Sequence, residues 1–99
     1  MTSIRSENLM QRKVLHLALM KKGDCATVTG LAPTEGAEAL AIKTRLWELG
    51  FAAGEKVRVV AESFPGGDPM AVRLGNTTFA LRRHEAAMIH VVRPDLHVV

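Results

Sequence analysis

Few side chains in this sequence could bind a metal: there is one cysteine and there are four histidines among the 99 residues. The candidates are Cys25, His16, His84, His90 and His97. None of them forms a Cys-x-x-Cys, His-Glu-x-x-His or His-x-x-x-His pattern, the spacings that are diagnostic of zinc sites. A single cysteine also excludes an internal disulfide framework, which fits a reducing compartment. Any metal site would therefore have to be assembled by the fold.

Two stretches invite other chemistry. The loop "FPGGDP" (64–69) could cradle a phosphate with its backbone N–H groups. It lacks the Gly-Lys-Ser/Thr ending of a nucleotide-binding loop, and Asp68 would repel a phosphate, so we interpret it as a turn. Ser63, His84 and Asp68 could be combined into a hydrolytic triad, but the chain is small and lacks the other elements of a catalytic pocket. We expect no enzymatic activity.

The positive charge is concentrated at one end of the chain. Residues 1–22 carry five basic groups and one acidic group, whereas residues 23–99 carry eight basic and nine acidic groups. A basic arm can favour nucleic acid or an anionic membrane, and a small nucleic-acid-binding barrel is one hypothesis. The near-neutral remainder and the shortage of aromatic residues argue against base stacking, so we expect no nucleic-acid partner. No apolar run has the length of a signal peptide or a membrane span, which predicts a cytoplasmic protein.

The candidate functional side chains must be positioned by short strands. Alternating apolar residues predict strands at 23–32, 55–63, 70–74, 77–82 and 89–93, with one helical turn at 83–88. Residues 37–49 contain no glycine or proline and predict a helix that Gly50 ends. The residues expected to face inward are Ala26, Val28, Val57, Val59, Met70, Val72, Leu74, Phe79 and Leu81. Short antiparallel strands in so small a chain favour a closed barrel, because closure removes exposed strand edges.

Three motifs in order resemble one known family. They read L-x-x-L-G-F-x-x-G-x-x-V-x-V over 46–59, P-x-G-D-P over 65–69 and L-R-x-x-E-A-x-x-I-x-V over 81–91. Their spacing is similar to that of FeoA, a small cytosolic protein of bacterial ferrous iron transport. The resemblance covers residues 17–93.

The resemblance implies a mainly β fold, a small five-stranded Src-homology-3-like (SH3-like) barrel with one inserted helix at about 36–49. The barrel domain would span 17–99, with an N-terminal extension at 1–16. It also implies a partner and not a reaction: FeoB, the membrane iron permease with a cytoplasmic GTP-binding domain. Related domains form the C-terminal module of some metal-dependent repressors, so a metal-responsive regulatory or dimerising module is the alternative. No catalytic residue and no required cofactor carry over.

The implied barrel also bears on metal binding. If its first and last strands pair, alternation puts Cys25 and His90 on the outer face, where they could be cross-strand neighbours. Further ligands for Zn²⁺ or Fe²⁺ would have to come from His84, Glu85 or a second chain, so a homodimer is possible. The predicted metal residues are Cys25, His84 and His90.

Trp47 is the only tryptophan and does not fit the apolar stripe of the helix. Ala39, Ile42, Leu46 and Leu49 fall within that stripe, and Trp47 lies roughly 140° from its centre at about 100° per residue. Leu40 lies two turns away on the same outward side. Either the apolar residues of 9–19 cover this strip, or it is a docking surface, since tryptophan is favoured at binding hot spots.

The predicted partner-binding surface combines the outward helix face with the tip of the glycine-rich loop. The end of the fifth strand adds two polar residues, for which local structural bonds are the competing interpretation. The residues assigned to this surface are Leu40, Lys43, Trp47, Pro65, Gly67, Asp68, Arg82 and Glu85.

Overall fold

The computed structural model describes residues 15–94. They form six strands, two α-helices and one 3-10 helix. In chain order the elements are β1 (Leu15–His16), the 3-10 helix (Leu17–Leu19), β2 (Cys25–Leu31), α1 (Ala37–Leu49), β3 (Lys56–Glu62), β4 (Met70–Leu74), β5 (Thr77–Leu81), α2 (Arg83–Ala86) and β6 (Ile89–Val92). Within this range no helix combines the length and the apolar character needed to cross a membrane.

All six strands belong to one antiparallel sheet with the order β1-β6-β2-β3-β4-β5. Strands β4 and β5 form a hairpin whose two-residue turn contains Gly75 at a φ of 62°, a backbone angle that favours glycine. The expected pairing of the first and last predicted strands is present as β2 with β6.

The five-strand prediction misses one strand. Leu15 and His16 pair with Val91 and His90, so the sheet begins inside the segment that we expected to be an extension. Leu17 then enters the core with no exposed surface. A two-residue strand is too short to show the alternation from which strands are predicted.

The residues on the inner face of the sheet are those that the alternation of apolar residues along the strands predicts. Eight of the nine expected inward residues are buried, and the ninth, Phe79, is partly buried and packs against the core. Its ring lies 5.6 Å from that of Phe51, in a tilted arrangement that aromatic pairs favour. Leu46 of α1, Ala86 of α2, and Ile89 and Val91 of β6 complete a single core.

Helix α1 is fastened to this core mainly at its C-terminal end. Of the four residues in the predicted stripe only Leu46 is fully buried, so the buried stripe is narrower than expected. Gly50 ends the helix at a φ of 112°, and the Phe51 N–H donates to the Leu46 carbonyl at 3.1 Å. This turn directs Phe51 into the core immediately after the helix and leaves the opposite helix face in solvent.

Candidate functional site

The outward face of α1 carries an open groove. Trp47 is 62% exposed and Leu40 is 55% exposed, which confirms that both point away from the core. Together with Leu31 of β2 they line a groove of about 190 Å³, and Lys43 and Thr44 complete its wall. We call this the helix groove. Its volume is below the roughly 300 Å³ of the smaller ligand pockets, so it suits a protein side chain better than a small molecule.

The proposed cover of this groove is only partly described. Residues 15–18 pair with β6 or pack against the core, and Leu17 in particular is fully buried there, whereas Leu19 is exposed. That part of the expected cover is therefore used elsewhere. Residues 9–14 lie outside the described residues. Within the described chain the groove is open.

The glycine-rich loop is held by an arginine that sequence reasoning did not select. The Arg83 Nε donates to the Gly67 carbonyl at 2.9 Å, and the Arg83 backbone N–H donates to Asp68 Oδ1 at 2.9 Å. The second bond places a carboxylate at the start of α2, where helix N–H groups lack partners within the helix. Phe64 at the tip remains 94% exposed.

The same guanidinium reaches two further segments. Its Nη1 donates to the carbonyls of Ala18 at 2.6 Å and Met20 at 3.2 Å, just after β1. Its Nη2 contacts Glu62 Oε1 at 3.1 Å, while the Lys22 N–H donates to the other oxygen of that carboxylate at 2.6 Å. Arg83 thus joins the loop, the N-terminal segment and the end of β3. Nothing in "LRRHEA" distinguishes Arg82 from Arg83; the start of α2 decides which of them points inward.

Glu85 makes local structural bonds, which is the interpretation that competes with a partner-binding role. Its Oε1 accepts the Arg82 N–H at 2.9 Å, and its Oε2 pairs with Arg45 of α1 at 2.5 Å. Glu85 therefore links the two helices, whereas the Arg82 side chain is exposed. A partner-binding role for either residue remains a prediction.

The predicted surface falls into two parts. Leu40, Lys43 and Trp47 meet in the helix groove, but the loop residues do not line it. Arg45 faces α2, and at about 100° per residue it lies roughly 160° around α1 from Trp47. The groove and the loop are therefore on different sides of the helix.

The predicted metal residues are not brought together. Cys25 lies opposite Arg58, and His90 lies opposite Gly30, so the expectation that Cys25 and His90 are neighbours is wrong. Alternation fixes the face of a side chain but not the register of its strand, and a bulge between Val28 and Gly30 shifts the register further. Among residues 15–94 there is no group of three or more His, Cys, Asp or Glu side chains that could hold a metal.

A different pair of histidines is adjacent. His16 of β1 lies directly opposite His90 of β6. The His16 Nδ1 is buried and has no hydrogen-bond partner among the described residues. Sequence reasoning named both histidines, but it could not pair them because β1 was not predicted.

Comparison with known proteins identifies the family. The sequence profile of the FeoA domain matches residues 15–93. The structure of Stenotrophomonas maltophilia FeoA, solved in complex with zinc, is 39% identical, with a TM-score of 0.69, and the match covers 78% of this chain and 88% of that one. The Chlorobium tepidum FeoA protein is 33% identical over 82% of this chain and 71% of its own, with a TM-score of 0.67.

More distant structures share the fold alone. A FeoA-like protein of Clostridium acetobutylicum is 24% identical, with a TM-score of 0.73 over 90% of this chain and 96% of that one. A manganese-dependent transcriptional repressor is 20% identical, with a TM-score of 0.67 over 81% of this chain and 41% of its own. No curated protein sequence gives a significant match. The profile match over most of the chain and the similarity to solved SH3-like FeoA structures agree, and the chain belongs to the FeoA domain family.

Proposed function

We propose that this protein is a non-enzymatic accessory protein of bacterial ferrous iron transport that acts in the cytoplasm. It binds the cytoplasmic part of a FeoB-type permease and modulates iron uptake. Membership of the FeoA family supports the accessory role in ferrous iron transport. The observation that carries the binding proposal is the exposed Trp47 beside an open groove.

The helix groove has the composition of a small docking site. Trp47 and Leu40 offer apolar surface that contact with a partner would remove from water, and Lys43 at the wall adds a positive charge. Tryptophan is among the residues enriched at binding hot spots. An apolar side chain of the permease, flanked by an acidic one, would complement this arrangement.

Replacing Trp47 with alanine should weaken binding to the permease's cytoplasmic domain about 30-fold, since a hot-spot residue contributes about 2 kcal/mol. The fold should be retained because Trp47 does not enter the core. Titration calorimetry with the purified cytoplasmic domain, with and without Fe²⁺, measures the affinity, and circular dichroism checks the fold.

Leu19→Ala provides the matched control, because Leu19 is 54% exposed but does not line the groove. Leu40→Ala should weaken binding, whereas Leu19→Ala should not. Unchanged affinity in Trp47→Ala, or equal losses in the two leucine variants, would refute the assignment of the groove.

The His16–His90 pair favours zinc binding as a second candidate function. Two imidazoles supply half of a tetrahedral zinc site, and His16 and His90 are both partly exposed. A second copy of the chain would supply the other half, which gives a zinc-bridged dimer. The S. maltophilia relative, solved with zinc, supports testing this possibility.

With ZnSO₄, His90→Gln should abolish saturable zinc binding and the accompanying dimer, because one imidazole per chain cannot complete the site. Calorimetry and analytical ultracentrifugation measure the two effects. Cys25→Ser is the control, because Cys25 lies opposite Arg58 and should not matter. Zinc binding that is lost in Cys25→Ser and kept in His90→Gln would contradict this site.

A further inference from the structure

The outer face of the sheet carries a row of basic side chains. Arg58 of β3 lies directly opposite Arg73 of β4, and Lys56 is two residues from Arg58 on the same strand. All three are exposed. Lys56 and Arg58 alternate with the buried Val57 and Val59, and Arg73 lies between the buried Val72 and Leu74. We call these three residues the basic row.

The basic row has no carboxylate partner within residues 15–94. The ion pairs found there use Arg45, Arg83 and Arg93. Asp24 precedes Cys25, the residue opposite Arg58, and it is already engaged: its Oδ2 accepts the Lys21 backbone N–H at 2.8 Å and lies 3.7 Å from the Arg93 Nη2. Like charges directly opposite each other destabilise a strand pair, so an anion bound between the two arginines would relieve an unfavourable contact.

The basic row borders a groove that is larger than the helix groove. It has a volume of about 550 Å³ and extends from Cys25 across the sheet to Gly75, with Pro94 on its wall. A second hollow of about 350 Å³ shares Arg58 and Arg73 and adds Lys22. Among residues 15–94, no acidic and no aromatic residue lines either one.

We propose that this groove is a docking site for an acidic segment of a protein partner, with a carboxylate bound between Arg58 and Arg73. Cross-strand neighbours have Cβ atoms about 5 Å apart, so both guanidinium groups can reach one carboxylate, and arginine binds carboxylates in a bidentate manner. None of the described residues that line the groove is aromatic, which disfavours a single-stranded nucleic acid, because such a ligand needs stacking platforms. The inference goes beyond the proposed function, because it concerns a different surface and does not require the permease.

Binding of a short fluorescein-labelled peptide of alternating glutamate and alanine tests the proposal. Fluorescence anisotropy should show saturable binding to the wild type that weakens as salt is raised. The double variant Arg58→Gln/Arg73→Gln should bind about tenfold more weakly and should remain folded, because both side chains are exposed. The variant loses the like-charge contact and also the bond from the Arg73 Nε to the Gly75 carbonyl at 3.2 Å, so its melting temperature should stay close to that of the wild type.

Two controls separate this site from general attraction to a basic protein. A peptide with glutamine in place of glutamate should not bind. Lys21→Gln/Arg45→Gln removes two charges from exposed residues that line neither this groove nor the helix groove, so that variant should bind the glutamate peptide as the wild type does. The proposal would be overturned if the peptide did not bind the wild type or if both double variants lost affinity equally. It would also be overturned if oligouridylate displaced the labelled peptide at a lower concentration than unlabelled peptide does. Because the permease is absent from this assay, its outcome is independent of the helix-groove proposal.

Discussion

Replacing Leu46 with alanine should lower the free energy of unfolding by about 2 to 5 kcal/mol, the range for a leucine truncated in a packed core. Leu46 is the fully buried residue of α1 and belongs to the same core cluster as Phe51. The substitution leaves a cavity where the helix is fastened to the sheet, while the backbone bond from the Phe51 N–H to the Leu46 carbonyl keeps both of its partners. Urea denaturation followed by Trp47 fluorescence and by circular dichroism measures the loss.

Leu40→Ala is the matched control for this prediction. It makes the same chemical change in the same helix at a side chain that is 55% exposed, so the loss should stay within about 0.5 kcal/mol. The two variants should also differ in binding: Leu40→Ala should weaken permease binding without loss of stability. Similar stability losses at both positions would mean that α1 does not pack through Leu46 as described.

Replacing Arg83 with alanine should cost about 2 to 3 kcal/mol of stability, because hydrogen bonds to charged groups are each worth about 1.5 to 3 kcal/mol and their former acceptors lose a partner. The side chain donates to the carbonyls of Gly67, Ala18 and Met20 and pairs with Glu62. The Arg83 side chain is 25% exposed, so water can replace part of these bonds. We therefore do not expect the full loss of stability that follows when one partner of a buried ion pair is removed. Urea denaturation gives the stability change, and hydrogen exchange at the glycine-rich loop reports its release.

Arg82→Ala serves as the neighbouring control and should leave the free energy of unfolding nearly unchanged, because the Arg82 side chain is exposed. The variant also keeps the backbone N–H of residue 82, which donates to the Glu85 carboxylate. Arg83→Lys should recover less than half of the loss, because one ammonium cannot copy the planar fork that reaches several acceptors. Full recovery with lysine would show that charge alone matters at this position, and a larger loss in Arg82→Ala would show that the two arginines had been assigned the wrong way round.

The sequence by itself determined the longer elements and which way their side chains point, but not the two-residue strand β1. Strict alternation in β3 and β4 assigns Val57, Val59 and Val72 to the core, because successive side chains of a strand point to opposite faces. The helical advance of about 100° per residue separates Leu46 from Trp47, and Gly50 ends the helix because glycine readily adopts a positive φ. These are local properties of the chain.

The tertiary structure alone decided which of these residues meet. The register of β6 puts His90 opposite His16 and Gly30 and away from Cys25, and that register depends on contacts between strands far apart in the chain. The choice of Arg83 over Arg82 depends on where α2 begins relative to the loop, and the basic row depends on the pairing of β3 with β4. Periodicity assigns each side chain to a face of its own element, whereas a site requires faces of several elements to be aligned. That alignment is fixed by packing and backbone pairing between distant segments, which a local pattern does not encode.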